Sequence, residues 1–457
     1  MSSLGDLTTV EKMNLQGSIS YFFKFLRIVL PGVIGAFISI MSHTTCYGQQ
    51  ATNNLDTSHV SQGIDIFDVI RKWAKKPAKN VTDTADQHAK NLSFLPILGY
   101  GPANGVILGA AVSVTKFLGN PKTTQLSAAL MNASITTNSQ LILNLRFDVY
   151  TPNNKWYISG DNRLYFFTQP TYGLGINGLY NQSYGFSFNG YSQSGNLAQP
   201  LDFDYLRLYE TFLRNVGKHW YLGLGVKIDR HFNIRDPTLK LDSPTHLTSH
   251  YVYSKAYGFD TAKYSASGIS FDIMHDTRDN PVNAYKGYYL NVSFRVNPAF
   301  VGSSKSSVVV YYEYRAYINV NKDIPRNLIA FWFWGTDVIS GHLPYLALPA
   351  LTWDTYNRSG RGYIQGRFRG DNMIYGESEF RFRLTKNDLL GGVAFVNATT
   401  ASNPLPYAKQ SVFNSVAPGY GAGIRIKMNK ADRTNIAADY AKGYGFSGIY
   451  LNIRETF

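Results

Sequence analysis

The chain has 457 residues, a formal net charge of +14, 15% aromatic residues (33 Tyr, 28 Phe), 40 Gly and one Cys. Its length admits two or three soluble domains or one large barrel, and its slightly negative mean hydropathy excludes a bundle of spanning helices. A barrel hides its apolar residues in an alternating pattern that averages to a neutral score. The basic excess would suit nucleic acid if it clustered. Here the basic residues alternate singly with apolar ones, which excludes a nucleic-acid arm and points to lipid phosphates.

In chain order, the first feature reads as an export signal. Lys24 and Arg27 precede the apolar run Ile28 to Met41 (IVLPGVIGAFISIM), which Pro31 interrupts. The run falls short of the roughly 20 residues of a spanning helix and fits a signal-peptide core. Cleavage after Gly48 makes residues 1–48 the signal, with a membrane anchor as the alternative. Asp6 and Glu11 are foreign to a signal, which makes Met13 an alternative start. The only cysteine, Cys46, falls in the removed segment, so thiol catalysis is excluded.

Residues 49–92 are polar, except for Gly63 to Lys76 (GIDIFDVIRKWAKK). There Ile64, Phe67, Ile70 and Trp73 recur at three-residue spacing. This predicts one short amphipathic helix in a periplasmic segment. It has three open readings: lying on a membrane surface, plugging a barrel, or capping the N-terminus.

From residue 93 the period changes to two. In Val308 to Asn321, Val308, Val310, Tyr312, Tyr314, Ala316, Ile318 and Val320 oppose Val309, Tyr311, Glu313, Arg315, Tyr317 and Asn319. Leu141 to Tyr150 and Tyr288 to Asn297 behave likewise. Alternate side chains face opposite sides of a strand, so one face is apolar and the other polar. A soluble antiparallel sheet would alternate too. The runs are longer than the usual 5–6 residues, and aromatics crowd their ends (Trp156, Tyr157, Phe166, Phe167, Trp220, Tyr221, Phe331, Trp332, Phe333, Trp334), as membrane girdles require. Sixteen candidate strands lie near 94–100, 104–118, 124–136, 139–151, 155–168, 201–214, 218–233, 264–278, 286–298, 306–321, 327–340, 372–385, 388–400, 418–429, 434–444 and 446–457. With the last strand ending inside, the long connections 169–200, 234–263, 341–371 and 401–417 all fall outside. The expected fold is therefore all-β, a 16-stranded antiparallel transmembrane β-barrel over 93–457 with a short N-terminal helical segment.

The outer connection before strand twelve contains Gly360 to Asp371 (GRGYIQGRFRGD), with four glycines and three arginines. The strand after it (MIYGESEFRFRL) points Tyr375, Glu377, Glu379, Arg381 and Arg383 to the lumen. Arg pairs bidentately with carboxylates, and glycines permit tight turns. Arg361 is thus expected either to pair with Glu377 or Glu379 inside the barrel, or to remain on an exposed loop facing lipid phosphates.

An Arg361-Gly362-Tyr363 loop followed by a Glu-x-Arg strand resembles the bacterial surface-antigen barrels of the BamA/TamA superfamily. The segments Asp276 to Pro281 with Gly287, Leu95 to Ala110, and the terminal Phe457 are similar to features of that family. The resemblance implies a lumen-inserted loop whose Arg meets an acidic residue on each of two following strands. It also implies that Phe457 is an assembly signal. The family's Asp on the thirteenth strand is replaced by Asn397, which can still accept a hydrogen bond, and Asp439 is a candidate substitute. Residues 49–92 are too few for a POTRA domain, so the chain resembles a barrel-only branch. The resemblance implies an outer-membrane location in a Gram-negative bacterium. It implies lipids and lipopolysaccharide as partners, together with a periplasmic or outer-membrane partner protein.

Two functions follow. One is assisted insertion or translocation of outer-membrane components through a weak first-to-last strand seam. Pro96 in the first strand, and Glu455 interrupting the apolar face of the last, would loosen that seam. The other is a passive or plugged channel, with Arg146, Arg295, Arg315, Arg383, Arg425, Lys427 and Arg454 inward and favouring anions. No enzyme is expected. There is no Gly-x-Ser-x-Gly elbow and no His-Glu-x-x-His pair, and His275 and Asp276 face opposite sides. No cofactor, metal or nucleic acid is expected either.

Overall fold

A computed structural model describes residues 63–74 and 91–457, apart from 102–103, 177–186, 189–190, 193–197, 243–246, 406–408 and 431. The signal-peptide reading, Cys46 and most of the 49–92 segment lie outside the described residues.

Sixteen strands pair antiparallel in strict chain order. They are β1 (Asn91–Gly101), β2 (Gly105–Lys116), β3 (Ser127–Thr136), β4 (Leu141–Tyr150), β5 (Trp156–Thr171), β6 (Gln199–Gly217), β7 (Trp220–Arg235), β8 (Tyr264–Asp276), β9 (Gly287–Asn297), β10 (Ser307–Asn319), β11 (Leu328–Gly341), β12 (Asn372–Arg383), β13 (Leu390–Ala401), β14 (Ala417–Asn429), β15 (Thr434–Gly443) and β16 (Phe446–Ile453). The last strand lies against the first. Among the described residues two α-helices accompany them, α1 (Ile66–Trp73) and α2 (Ser249–Ala256). No described helix is long and apolar enough to cross a membrane. The membrane is crossed by strands, and each consecutive pair in the sheet satisfies backbone groups of its two strands.

The two-residue period decides which side chains face lipid. On β10, Tyr314 and Ile318 are exposed, while Glu313, Arg315 and Tyr317 are buried. The same alternation divides the aromatic bands. Trp156, Trp220, Phe331 and Phe333 face outward, but Tyr157, Phe167, Tyr221, Trp332 and Trp334 are buried inside. Half of the expected girdle is therefore lumen filling, because adjacent residues on a strand cannot share a face.

One end of the barrel has only short connections, and the long ones gather at the other. The 342–371 connection folds into the lumen, where Tyr345, Leu351, Tyr363, Phe368, Arg361 and Arg369 are all buried. Arg369 holds the loop to itself, donating to the carbonyls of Tyr345, Leu346 and Leu348 at 3.0, 3.0 and 3.3 Å. Helix α2, unexpected from the sequence, closes over it from the long 236–263 connection. Thr248 caps it, and Tyr253 Oη donates to the Leu343 carbonyl at 2.8 Å. Tyr165, Phe167, Phe203, Tyr253 and Tyr345 then form an apolar core within the lumen.

The end of the chain departs from expectation. β16 stops at Ile453 rather than running to 457, and Arg454 takes φ 75°. Residues 455–457 turn inward and are buried. Glu455 does not interrupt a lipid face. Arg425 Nε takes it at 2.6 Å and Asn435 Nδ2 at 2.6 Å. Phe457 packs on Trp332, ring centroids 5.3 Å apart, with Arg381 over its ring. A carboxylate on a lipid face would be costly, and two inward donors remove that cost.

Candidate functional site

The strand ladder prepares the site before any side chain reaches it. Register places Glu377 opposite Asn397, Asn397 opposite Gly419, and Gly419 opposite Gly443. One row across β12 to β15 thus runs from a carboxylate through an amide to two bare backbones. A Cβ at Gly419 would come within 2.8 Å of the Arg361 carbonyl, and one at Gly443 within 2.5 Å of the Gly362 carbonyl. The loop backbone rests on this glycine floor. Gly362 itself has φ 104°, a conformation that disfavours any side chain.

Arg361 projects from that backbone into a ring of acids. Nη1 meets Asp439 Oδ2 at 2.7 Å, Nη2 meets Glu377 Oε1 at 2.6 Å, and Nη2 also donates to Glu379. Its Cζ stands 3.5 Å from the centroid of the Phe395 ring. Burial alone would lower its pKa, but the three carboxylates outweigh burial and hold it well above the ordinary guanidinium value. The acids are held in turn. Tyr375 Oη donates to Glu377 at 2.6 Å, Arg381 pairs with Glu379 at 2.6 Å, and Arg425 bridges Asp439 and Glu455.

Each expected site residue has a definite place. Arg361, Glu377 and Glu379 come together. Asn397 joins them in a different role from the expected one. Its amide donates to the Arg361 carbonyl at 2.9 Å and toward Glu377 at 3.4 Å, instead of accepting from the guanidinium. Asp439 supplies the further charge. Gly362 N–H donates to Tyr450 Oη at 3.0 Å, and Tyr450 Oη donates to the Tyr363 carbonyl at 2.9 Å. Tyr363 Oη donates to the Pro418 carbonyl at 2.5 Å. These contacts around Arg361, together the lock on the loop, therefore reach β16 through Tyr450. Phe457 sits apart from Arg361, on Trp332 and Arg381.

Sequence reading missed two anchors on the same loop. Arg163 on β5 pairs with Asp161 at 2.7 Å and reaches Asn357 Oδ1 at 2.6 Å and the Asp354 carbonyl at 2.8 Å. Arg358 donates to the carbonyls of Ile453, at 2.6 Å, and Glu455. Burial, then the neighbouring charges of Arg146 and Arg454, lower the Arg358 pKa to about 10. Arg163 is not among the cations expected in the lumen, and nothing local to it names a loop almost two hundred residues away.

The inward cations expected to favour anions are largely compensated. Arg146 meets Asp161 at 3.3 Å, Arg295 meets Asp229 at 2.9 Å, and Lys427 meets Asp388. Arg315 pairs with Glu313. Between loop and wall lies a cavity of about 260 Å³, bordered by Arg207, Tyr209, Asp229, Arg295 and Tyr356. The carboxylates of the lock are engaged by guanidinium and amide groups. Among the described residues no group of three or more His, Cys, Asp and Glu is arranged to hold a metal ion.

Comparison with known proteins places this architecture. The model of the Omp85 superfamily domain matches residues 132–457, from within β3 to the end. Similar solved structures include BamA from Haemophilus ducreyi lacking POTRA domains 1–3 (15% identity, TM-score 0.48), covering 80% of this chain and 69% of that one. CdiB from Acinetobacter baumannii is similar at 12% identity and TM-score 0.46, covering 80% of this chain and 60% of that one. CdiB from Escherichia coli is similar at 9% identity and TM-score 0.49, covering 80% and 62%. No match was found among curated protein sequences. The family match spans well over half of the chain, and the chain belongs to the Omp85 superfamily, whose barrels are outer-membrane proteins.

Proposed function

We propose that this barrel assists the insertion or translocation of outer-membrane components through a lateral seam between β1 and β16. The observation that carries the reading is the ladder. Every consecutive pair from β1 to β16 is hydrogen-bonded. Where β16 meets β1, no ladder is formed among the described residues, although the strands lie side by side. β16 has only 8 residues and its continuation turns away from the wall. Unpaired edge groups can template a new strand. In this reading Arg361, Gly362, Tyr363, Glu377, Glu379 and Asn397 hold the loop as an internal strut beside the seam. Residues 1–48 are the export signal, and 49–92 form a periplasmic segment before the barrel. The protein works in the outer membrane of a Gram-negative bacterium, against phospholipid and lipopolysaccharide, with a separate partner protein. Its role is non-enzymatic. Extensive pairing of the lumenal charges makes an anion channel the weaker reading.

The test uses purified protein in liposomes with an unfolded outer-membrane barrel as substrate, followed by gel mobility. Folding faster than in empty liposomes, and slowed in Arg361→Ala, is expected. No acceleration by the wild type would sink the insertion reading.

A further inference from the structure

Helix α1 is inside out. It docks on the barrel by its polar side. Lys430 N–H donates to Asp65 at 3.1 Å, Lys430 Nζ pairs with Asp68 at 2.7 Å, and Ile64 N–H donates to the Asn387 carbonyl at 2.9 Å. Gly63 lies so close that a Cβ there would stand 2.8 Å from Asp388 Cβ. A capping box of Asp65 and Asp68 fixes the first turn. All these barrel partners are residues of short turns, so the helix sits on the rim of the short-turn end. Most of its apolar residues face away from the protein, with Ile66 half-buried. Phe67 is 40% exposed, Ile70 51% and Trp73 87%, and no residue of the helix proper is fully buried on the barrel.

A docked helix normally buries its apolar stripe. One that buries carboxylates and presents Phe, Ile and Trp has its stripe reserved for something else. Two observations identify the occupant. The helix packs beside β14, and the wall there carries exposed apolar residues toward the same end: Ile424 on β14, Phe380 on β12, and Leu384 just beyond β12. The exposed stripe thus adjoins the apolar band that faces acyl chains. Arg71 and Lys72 close its last turn, and Lys75 and Lys76 follow in sequence, which suits anionic headgroups.

We infer that α1 is an in-plane membrane helix, with Phe67, Ile70 and Trp73 entering the leaflet beside the β12–β15 wall while Lys430 and Asn387 tether its polar side to the rim. A helix held this way ties the segment before the barrel to both the wall and the lipid, at the end where the strands emerge. It fixes the leaflet boundary on the side of the barrel that bears the acids of the lock.

The experiment places a nitroxide label at Ile70→Cys, and separately at Lys72→Cys, in the full chain carrying Cys46→Ser. The protein is reconstituted in phosphatidylethanolamine/phosphatidylglycerol vesicles. Relaxation by oxygen and by a water-soluble nickel chelate is then compared. Oxygen is expected to dominate at position 70 and nickel at position 72. Equal nickel access at both positions would overturn the inference by leaving the helix in water. Exclusion of both reagents at 70 would also overturn it, by placing the helix in a protein groove or the lumen. In a Phe67→Asp, Trp73→Asp background with unchanged barrel mobility, the oxygen preference at 70 is expected to be lost. Its persistence would overturn the role given to those two side chains.

Discussion

At the scale of single residues, Arg361 is the group whose surroundings decide most. It is buried among Glu377, Glu379 and Asp439. Removing one partner of a buried ion pair leaves uncompensated charge and costs about 3–5 kcal/mol. Arg361→Ala is therefore expected to lower the temperature at which the folded band is lost on a gel. Asn397 gives a sharper test. It donates to the Arg361 carbonyl and toward Glu377, so Asn397→Asp replaces a donor by an acceptor facing two acceptors. Asn397→Asp should destabilise, and Glu377→Gln should recover part of the loss, as read by a double-mutant cycle. Full additivity would rule out direct coupling. The acids and the basic loop were legible in the sequence, because alternation points Glu377 and Glu379 inward. The part played by Asp439 was not secure there. Its approach to Arg361 depends on how far the loop reaches across β13 to β15.

Among the elements, the loop, the last strand and α1 each make a separate prediction. Arg358 donates to the carbonyls of Ile453 and Glu455 where β16 ends. Arg358→Ala should raise amide hydrogen exchange along β16 without raising it along β12. Equal effects on both strands would mean general loosening. The docking of α1 is pH-dependent in a defined direction. Partial burial would raise the Asp68 carboxyl, but the hydrogen bond from Lys430, the Asp65 amide, and the charges of Lys430 and Arg71 hold it below its ordinary 3.8. A depressed carboxylate contributes stability above its unfolded pKa and loses it as pH falls through the folded value. The tether should persist at neutral pH and weaken only below about pH 4, and a spin label on α1 would gain mobility there. Strand positions were readable in advance because a two-residue period survives any tertiary arrangement. Helix α2 was not, since its buried face is covered by the loop and was never a periodic stripe in sequence.

For the whole molecule, the loop of residues 342–371 is anchored in the lumen on opposite sides, by Arg163 from β5 and by Arg361 toward β12 and β15. Releasing one anchor leaves the other. The double variant Arg163→Ala, Arg361→Ala is expected to raise single-channel conductance in planar bilayers more than the two single changes combined. A simple sum would mean that the two ends of the loop move independently. Residue order was enough for the strand count, the antiparallel all-β class, the division of each strand into an apolar and a polar face, and a basic glycine-rich loop before an acidic strand. All of these are local patterns, carried by side-chain alternation and by the chemistry of neighbouring residues. Tertiary structure alone decided that Asp439 closes the ring around Arg361, that Asn397 donates, and that Arg163 and Arg358 hold the loop. It also decided that residues 455–457 turn inward and that α1 shows its apolar face outward. Each of these depends on cross-strand register and on where a long connection comes to rest, which bring together residues that no local pattern links.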